Sequence, residues 1–594
     1  MSEATRVCGV LGAGDPARVR AMAEFLGLGT DAAVHQSLHL RLVGAGIVRR
    51  PAAEGQAWMF STATPSPHRW ATAPVPWQQA ARDADVAGVV LSPEGRLTLH
   101  ASISGVQPLY VQILDGAVWF STHLEALVRT ASTALRPDAS AWAAILGAGA
   151  PMAGRTTVEG VRRLAPMESV TVDVGGDAGI GGDAGIGALG DSAEAPGGQP
   201  QVRIRREQAG WEWEDVLPEP GLSLEQVRRR GFTEETIGAL RAQVAAIADA
   251  PWQPMLSGGR DSRMLAGLAA QLAAESGGAG RLSAWSTSSD IGHTLEELTG
   301  ARIARLLGVE QRIVTGRQDG FAADFLDYAR ATGFQASFHV WLMPVARQLA
   351  AQPGTVLDGL GGGIFLGGGF ADEAALLARR PTGAQLVEDR FARACKYLGA
   401  VHQLLRPEAA EVVTARARED FMQTAERYAE HPQGATLTAY LTRTLPGISM
   451  APAAVLGSVR PTAVPIMSHE VVSRALSVPH EARRDGAWYP DLMAAVHPQF
   501  REIPTAADLT GVRQHKRRGA TIETARWYRG VVMDSPAAQL VGSRLVEGSA
   551  GDWQRQLEVT GGQHVIRGLA LLALWWGEHH SRVADADLSE LWNG

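Results

Sequence analysis

PMLSGGRDSRMLAG, residues 254–267, decides the fold of the second half of this 594-residue chain. An apolar dipeptide runs into Ser257, Gly258 and Gly259, and Asp261, Ser262 and Arg263 then fill the first turn of a helical pattern. A strand, a tight Gly-Gly turn and a helix start make an anion site. Small residues let the main chain approach a phosphate, and free N–H groups at the helix N-terminus point at it. Ser257 and Ser262 add hydroxyl donors, and Asp261 is placed to hold a magnesium ion against phosphate oxygens. The spacing is not that of a P-loop, which needs G-x-x-x-x-G-K-[ST] and its lysine. Turns of this composition also occur at strand–helix joins that bind nothing.

Outward from this stretch, the pattern beyond about residue 232 alternates helical runs with short apolar strands: PWQPMLS, RLSAWST, QRIVT and GTVLDGL. That alternation predicts an α/β domain with a parallel sheet, followed from about 372 by a mostly helical extension. Residues 5–174 have a different rhythm. RVCGVLG, VAGVVLS, RLTLHASIS, PLYVQIL and AVWFSTH read as strands and DPARVRAMAEFLG as a helix, an α+β pattern with a substantial antiparallel sheet. Between the halves lies GGDAGIGGDAGIGALGDSAEAPGGQP, 175–200, rich in Gly, Ala and Asp and without apolar periodicity. The expected organisation is therefore 1–174, a linker or loop over 175–215, and 216–594.

Composition narrows the function. A net charge of −7 gives no general reason to expect a nucleic-acid partner, although RQHKRR at 513–518 is locally basic. The two cysteines, Cys8 and Cys395, form neither a metal-ligand spacing nor a disulfide framework, which fits a reducing compartment. MSEATRVCGVLGAG lacks the features of a signal peptide. No run reaches the ~18 apolar residues of a membrane span, and HVIRGLALLALWWGEHH, 564–580, is interrupted by Arg567 and reads as a buried helix. The expectation is a cytoplasmic protein with no membrane partner.

SGGRDS resembles the SGG-x-D-S pyrophosphate loop of the ATP pyrophosphatase (PP-loop) superfamily, whose members split ATP between the α and β phosphates. The features downstream are similar to the asparagine synthetase-like branch. A second strand, LSAWST (282–287), precedes a helix ending in L-G, IARLLGVEQRIV (303–314), and a later strand enters the glycine-rich VLDGLGGGIFLGGG (356–369). The resemblance implies an ATP and pyrophosphate site formed by Leu256, Ser257, Gly258, Gly259, Asp261, Ser262, Ser286, Gly359 and Gly361. It implies Mg2+ on Asp261, with Asp358 as a weaker second ligand. Relatives usually carry an aspartate at the end of the loop's G-x-G-x-D core, where this chain has Gly363. They also place a lysine from a late loop near the α-phosphate. Lys516 in GVRQHKRRGA, after the R-x-P-F-L-D-like segment RPTAVPIMSHEVV (460–472), is the matching candidate, with Arg513 as its alternate. A solvated basic turn is the other reading of that stretch.

The first half resembles a class II glutamine amidotransferase domain, an Ntn-type sandwich, through CGVLG, GVQPLYV (105–111), VWFSTHLEALVRT (118–130) and TTVEGVRRLAPMESVTVDV (156–174). Active members use an N-terminal cysteine whose freed α-amine serves as base. Here Cys8 lies inside the chain, Ala101-Ser102 replaces the usual Arg-Asp, and no asparagine-glycine segment occurs between 50 and 100. The expected domain is degenerate, with a buried, inert Cys8. Gly12, Gly14 and Ala17 also form G-x-G-x-x-A after a strand, the start of a dinucleotide site. Its acidic partner would be Asp31, in GLGTDAAVHQ rather than at the end of a second strand.

Without glutamine hydrolysis, three relatives fit: ammonia-using asparagine synthetases, β-lactam-forming synthetases and lasso peptide cyclases. Asparagine synthetases carry a glutamate and β-lactam synthetases a tyrosine where this chain has Leu360, and D-G-L-G-G is similar to the cyclases' loop. The leading expectation is an ATP- and Mg2+-dependent lasso peptide cyclase, an AMP-forming amide ligase. Its implied partners are a leader-cleaved precursor peptide, a leader peptidase and a leader-binding protein. A catalytically impaired, peptide-binding scaffold is the alternative that Gly363 raises.

Overall fold

A computed structural model of the chain describes residues 4–29, 32–37, 39–63, 74–173, 203–208, 211–247, 251–277, 282–287, 294–505, 508 and 518–584. The strands β1 (Arg6–Leu11), β2 (Ala33–Gln36), β3 (Leu40–Ala45), β4 (Val48–Ala52), β5 (Gly55–Phe60), β6 (Ala87–Leu91), β7 (Leu97–His100), β8 (Tyr110–Leu114), β9 (Ala117–Ser121), β10 (Val161–Arg163), β11 (Glu168–Asp173) and β12 (Arg203–Gln208) form two antiparallel sheets. Their orders are β10-β8-β9-β1-β3-β2 and β12-β11-β7-β6-β5-β4.

Strand β1 shows how the sequence dictates the layering. Its period of two sends Val7 and Leu11 into an apolar cluster shared with Trp58, Phe60, Val89 and Leu99 of the second sheet. Cys8 and Val10 face the other way, into a cluster with Met22 of helix Pro16–Phe25 and Leu127 of helix Leu124–Thr130. With both faces covered, the strand is apolar throughout instead of alternating. On the outer face of the second sheet, Ala57 and Met59 cluster with Trp77 and Ala80 of helix Trp77–Ala84.

Two expectations are corrected here. The G-x-G-x-x-A alternative needs a parallel βαβ unit, but β1 pairs antiparallel with both β3 and β9. Its turn is also closed on itself: Gly12 N donates to His39 O, Gly14 N to Gly12 O, and Arg41 occupies the Gly14 carbonyl. Asp31 lies outside the described residues. The expected linker over 175–215 contains β12, paired residue for residue with β11, and the buried Trp211 and Trp213. RIRREQ was unreadable as a strand because it lies at a sheet edge with Arg203, Arg205, Arg206 and Glu207 exposed. Residues 175–202 lie outside the described residues.

The expected parallel α/β sheet is present. It comprises β13 (Trp252–Pro254), β14 (Ser283–Thr287), β15 (Glu310–Val314), β16 (Thr355–Leu357) and β17 (Thr462–Ala463). β13 and β17 flank β16 in parallel, β14 pairs with β15, and bridges at Trp252–Leu282 and Met255–Trp285 join β13 to β14. The order β15-β14-β13-β16-β17 places a topological switch point between β13 and β16, where the C-terminal strand ends open a crevice. Behind the sheet, helix Thr560–His579 is buried along most of its length and meets helix Ala139–Ala148, with the Trp142 and Trp575 rings 5.9 Å apart. One apolar cluster therefore runs from β1 to this last helix. Among the described residues no helix is long and apolar enough to cross a membrane.

Candidate active site

At the switch point, the main chain leaves β13 between its two neighbours: Met255 N donates to Leu357 O and Leu256 N to Trp285 O. Gly258 then adopts φ +79°, and a β-carbon there would lie 2.8 Å from Thr299 Cβ and 2.9 Å from Gly300 N. Helix Thr294–Leu307 thus approaches the turn so closely that only glycine fits. Gly259 caps helix Arg260–Glu275 without a side-chain bond to its free amides. Ser257 and Ser262 hold the turn's shape, their hydroxyls 3.1 Å apart and Ser257 Oγ accepting from Gly259 N at 3.2 Å. A helix N-terminus with open amides and two hydroxyls suits a phosphate group.

Beneath the turn lies a residue to which sequence reasoning gave no role. Arg263 is fully buried and donates to Gly258 O (2.7 Å), Phe500 O (2.9 Å) and Ile503 O (2.6 Å). Burial, then the nearby Arg260, lowers it to about 10, so it remains a cation at neutral pH. The guanidinium both fixes the turn and adds positive charge behind it.

The loop after β16 supplies the second half of the site. Asp358 N donates to Ala463 O, and Asp358 Oδ1 accepts from Leu360 N at 2.9 Å. Gly361 is at φ +92°, with Met467 Sδ where a β-carbon would go, and Gly359 and Gly362 lie against Asp261. At Gly362 a β-carbon would fall 2.0 Å from Asp261 Oδ1, whereas Gly363 has nothing within 4 Å. Asp261 accepts from the Tyr489 hydroxyl at 2.5 Å and from the Gly363 amide. Removal from bulk solvent pushes Asp261 and Asp358 each up to about 6. For Asp261 the Tyr489 bond and Arg260 oppose that rise, and the neighbouring Asp358 charge adds to it.

These elements surround one cavity of about 420 Å³. Of the sequence-predicted residues, Leu256, Ser257, Gly259, Asp261, Ser262, Ser286, Asp358, Gly359 and Gly361 line it. Gly258 sits behind the wall, shaping the turn. Ser286 is there, but its hydroxyl is engaged with protein, donating to Leu256 O at 2.5 Å and accepting from Gln311 at 2.6 Å. Lys516 and Arg513 lie outside the described residues.

The opposite wall was not foreseen. It carries His339, Trp341, Phe370, Arg443 and Ile448, and Glu296 stands beside the phosphate turn. Burial, then Arg443 and Arg567, pushes His339 down to about 4, so its ring is neutral at pH 7. Arg443 lies 4.9 Å from the Phe370 ring centroid. Burial pushes the carboxyl of Glu296 up, with Glu297 adding to it. Among the described residues no group of three or more His, Cys, Asp or Glu could by itself hold a metal ion. Two carboxylates beside a phosphate turn nevertheless fit Mg2+, which keeps waters and takes one or two carboxylates plus phosphate oxygens.

The first half offers no comparable centre at Cys8. The residue is paired on both sides within its sheet, is fully buried, and its thiol is pushed well up by burial. A mid-strand main chain has no free amine to act as base, and a neutral buried thiol is a poor nucleophile.

Fold and site together define an α/β domain with a glycine-turn cavity at a sheet switch point, whose open amides and hydroxyls suit a phosphate group. Residues 235–489, a little under half of the chain, match the family described as asparagine synthase. The region is thus similar to the asparagine synthetase-like family, which supports an ATP-dependent C–N ligase in general. No curated protein matches the chain.

Proposed function

We propose that the protein is a lasso peptide cyclase, joining an internal Asp or Glu side chain of a leader-free peptide to that peptide's own N-terminal amine. The peptide carboxylate oxygen attacks the α-phosphorus of ATP and pyrophosphate leaves. The α-amine then attacks the acyl carbon, AMP leaves, and the amine gives up a proton as the amide forms. Ser257, Gly259 and Ser262 bind the departing pyrophosphate, and Asp261 with Asp358 holds Mg2+ against it. Lys516, or Arg513, serves the charge at the α-phosphate. A leader peptidase and a leader-binding protein supply the substrate.

The observation that carries this reading is Leu360. It is buried in the cavity wall, its amide bonded to Asp358, at the position where the small-molecule synthetases carry an acid or a tyrosine. With no proton-handling group there, and with His339 pushed down to about 4 by burial and so a weak base, the cavity has little general-base chemistry to offer. Rate would then come from holding amine and activated acyl group together in a prefolded peptide and from fixed charge at the phosphates. Gly363 favours one second reading, a peptide-binding scaffold without turnover.

The test is incubation of the full chain with ATP·Mg and a candidate leader-free precursor peptide. AMP formation with loss of one water from the peptide is expected. AMP formation that depends on free aspartate and ammonia would overturn the cyclase in favour of a small-molecule ligase. Peptide binding with no AMP would establish the scaffold.

A further inference from the structure

A second cavity, of about 210 Å³, lies between the N-terminal sheets and the irregular helical segment Tyr440–Ile448, and shares no lining residue with the first. We propose that this cleft binds an organic carboxylate, a ligand with one acid group on an apolar body of amino-acid size.

The argument begins with unbalanced charge. Arg155 and Arg206 also line the cleft, but each is neutralised: Arg155 by Asp138 (3.1 Å) and Asp420 (2.9 Å), and Arg206 by Glu168. Among the described residues neither Arg162 nor Arg163 forms an ion pair, although Asp138 and Asp420 act on Arg162 from farther off. Arg163 is only 6% exposed, and its terminal nitrogens donate to neutral acceptors, Leu445 O (3.0 Å), Gly105 O (3.0 Å) and Ser449 Oγ (3.3 Å). Arg162 donates to Ala153 O at 2.8 Å, and the Nε atoms of both arginines are buried without an acceptor. A guanidinium withdrawn from water without a bonded counter-charge is costly. Arg162, half-buried in the cleft wall with only one carbonyl acceptor, is the fork a ligand carboxylate would pair with, while Arg163 adds positive charge behind it.

The facing wall selects the ligand's body. Leu441, Leu445 and Pro446 add hydrocarbon to the lining, beside the polar Gln335, Gln423 and Thr424. An inorganic phosphate would have that wall against its unpaired oxygens, whereas a carboxylate on an apolar group satisfies both sides. The volume lies below the ~300–1,000 Å³ typical of drug-sized ligands, which sets the size class.

Isothermal titration of the full chain with N-acetyl-L-leucine, N-acetyl-L-leucinamide and inorganic phosphate tests the proposal. The carboxylate is expected to bind about tenfold or more tighter than the amide or the phosphate, the scale of one charge-assisted hydrogen bond. Arg162→Gln should weaken it by a similar factor while leaving ATP·Mg binding unchanged. Ala165→Phe, which narrows the cleft without altering a charge, should abolish it. Failure of the carboxylate to bind, equal binding of the amide, tighter binding of phosphate, or an unaltered affinity in Arg162→Gln would each overturn it.

Discussion

Adjacent glycines in the loop after β16 should respond oppositely to one methyl group. In Gly362→Ala the new carbon would fall 2.0 Å from Asp261 Oδ1 and 2.1 Å from its Cγ, where ordinary contact begins at 3.4 Å. Asp261 must then retreat by about 1.4 Å or the loop must move by as much, and the 2.5 Å bond from Tyr489 is lost with it. A displacement near 1 Å in a positioned group costs about 10²-fold in rate, or ~2.7 kcal/mol of barrier. Gly363→Ala meets open space and should remain within about twofold, as a surface change does. The assay is AMP release from ATP across a magnesium series, with pyrophosphate exchange reporting the first half-reaction. Wild-type rates in Gly362→Ala, or equal losses in the two variants, would refute the placement of Asp261 as the metal-holding carboxylate.

Further expectations concern the same site and its surroundings. Ionised carboxylates are the metal-holding form and both sit near 6, so AMP formation should be full above about pH 7 and fall as pH drops through 6. That acid limb should move to lower pH as magnesium rises, since protons and metal compete, and to higher pH in Tyr489→Phe, which removes a bond to the ionised form. Gly363→Asp should lower the magnesium concentration for half-maximal rate, measured in the same assay. Arg263→Met leaves three buried carbonyls without a donor, a local loss of about 3 kcal/mol or more at 1–3 kcal/mol each. Hydrogen exchange should quicken at residues 255–259 and 500–503 together. Native protein should show no thiol reactive to a disulfide reagent, because Cys8 and Cys395 are both buried and protonated.

What could be read from the sequence was what repeats or punctuates locally. Four strands of the parallel sheet announced themselves by short apolar runs and the two loops by their glycines, and the residues on those loops meet at one cavity. Strand β17 has two residues, too few for any pattern, yet it fixes Asp358 by accepting its amide. Tyr489, Arg443 and His339 come from helices or turns distant in sequence, where a tyrosine, arginine or histidine carries no local mark of facing a cavity. Arg263 was visible as a polar residue in a helix's first turn, but two of its three acceptors are main-chain carbonyls more than 230 positions away. No side-chain pattern encodes a carbonyl acceptor.

That last connection sets an order of assembly during synthesis. A chain that has left the ribosome only as far as β17 already holds every strand of the parallel sheet and both glycine loops. Its Arg263, however, still lacks two of three acceptors, since Phe500 and Ile503 have yet to emerge, and Asp261 still lacks Tyr489. The glycine turn and its carboxylate are therefore completed after the sheet that carries them.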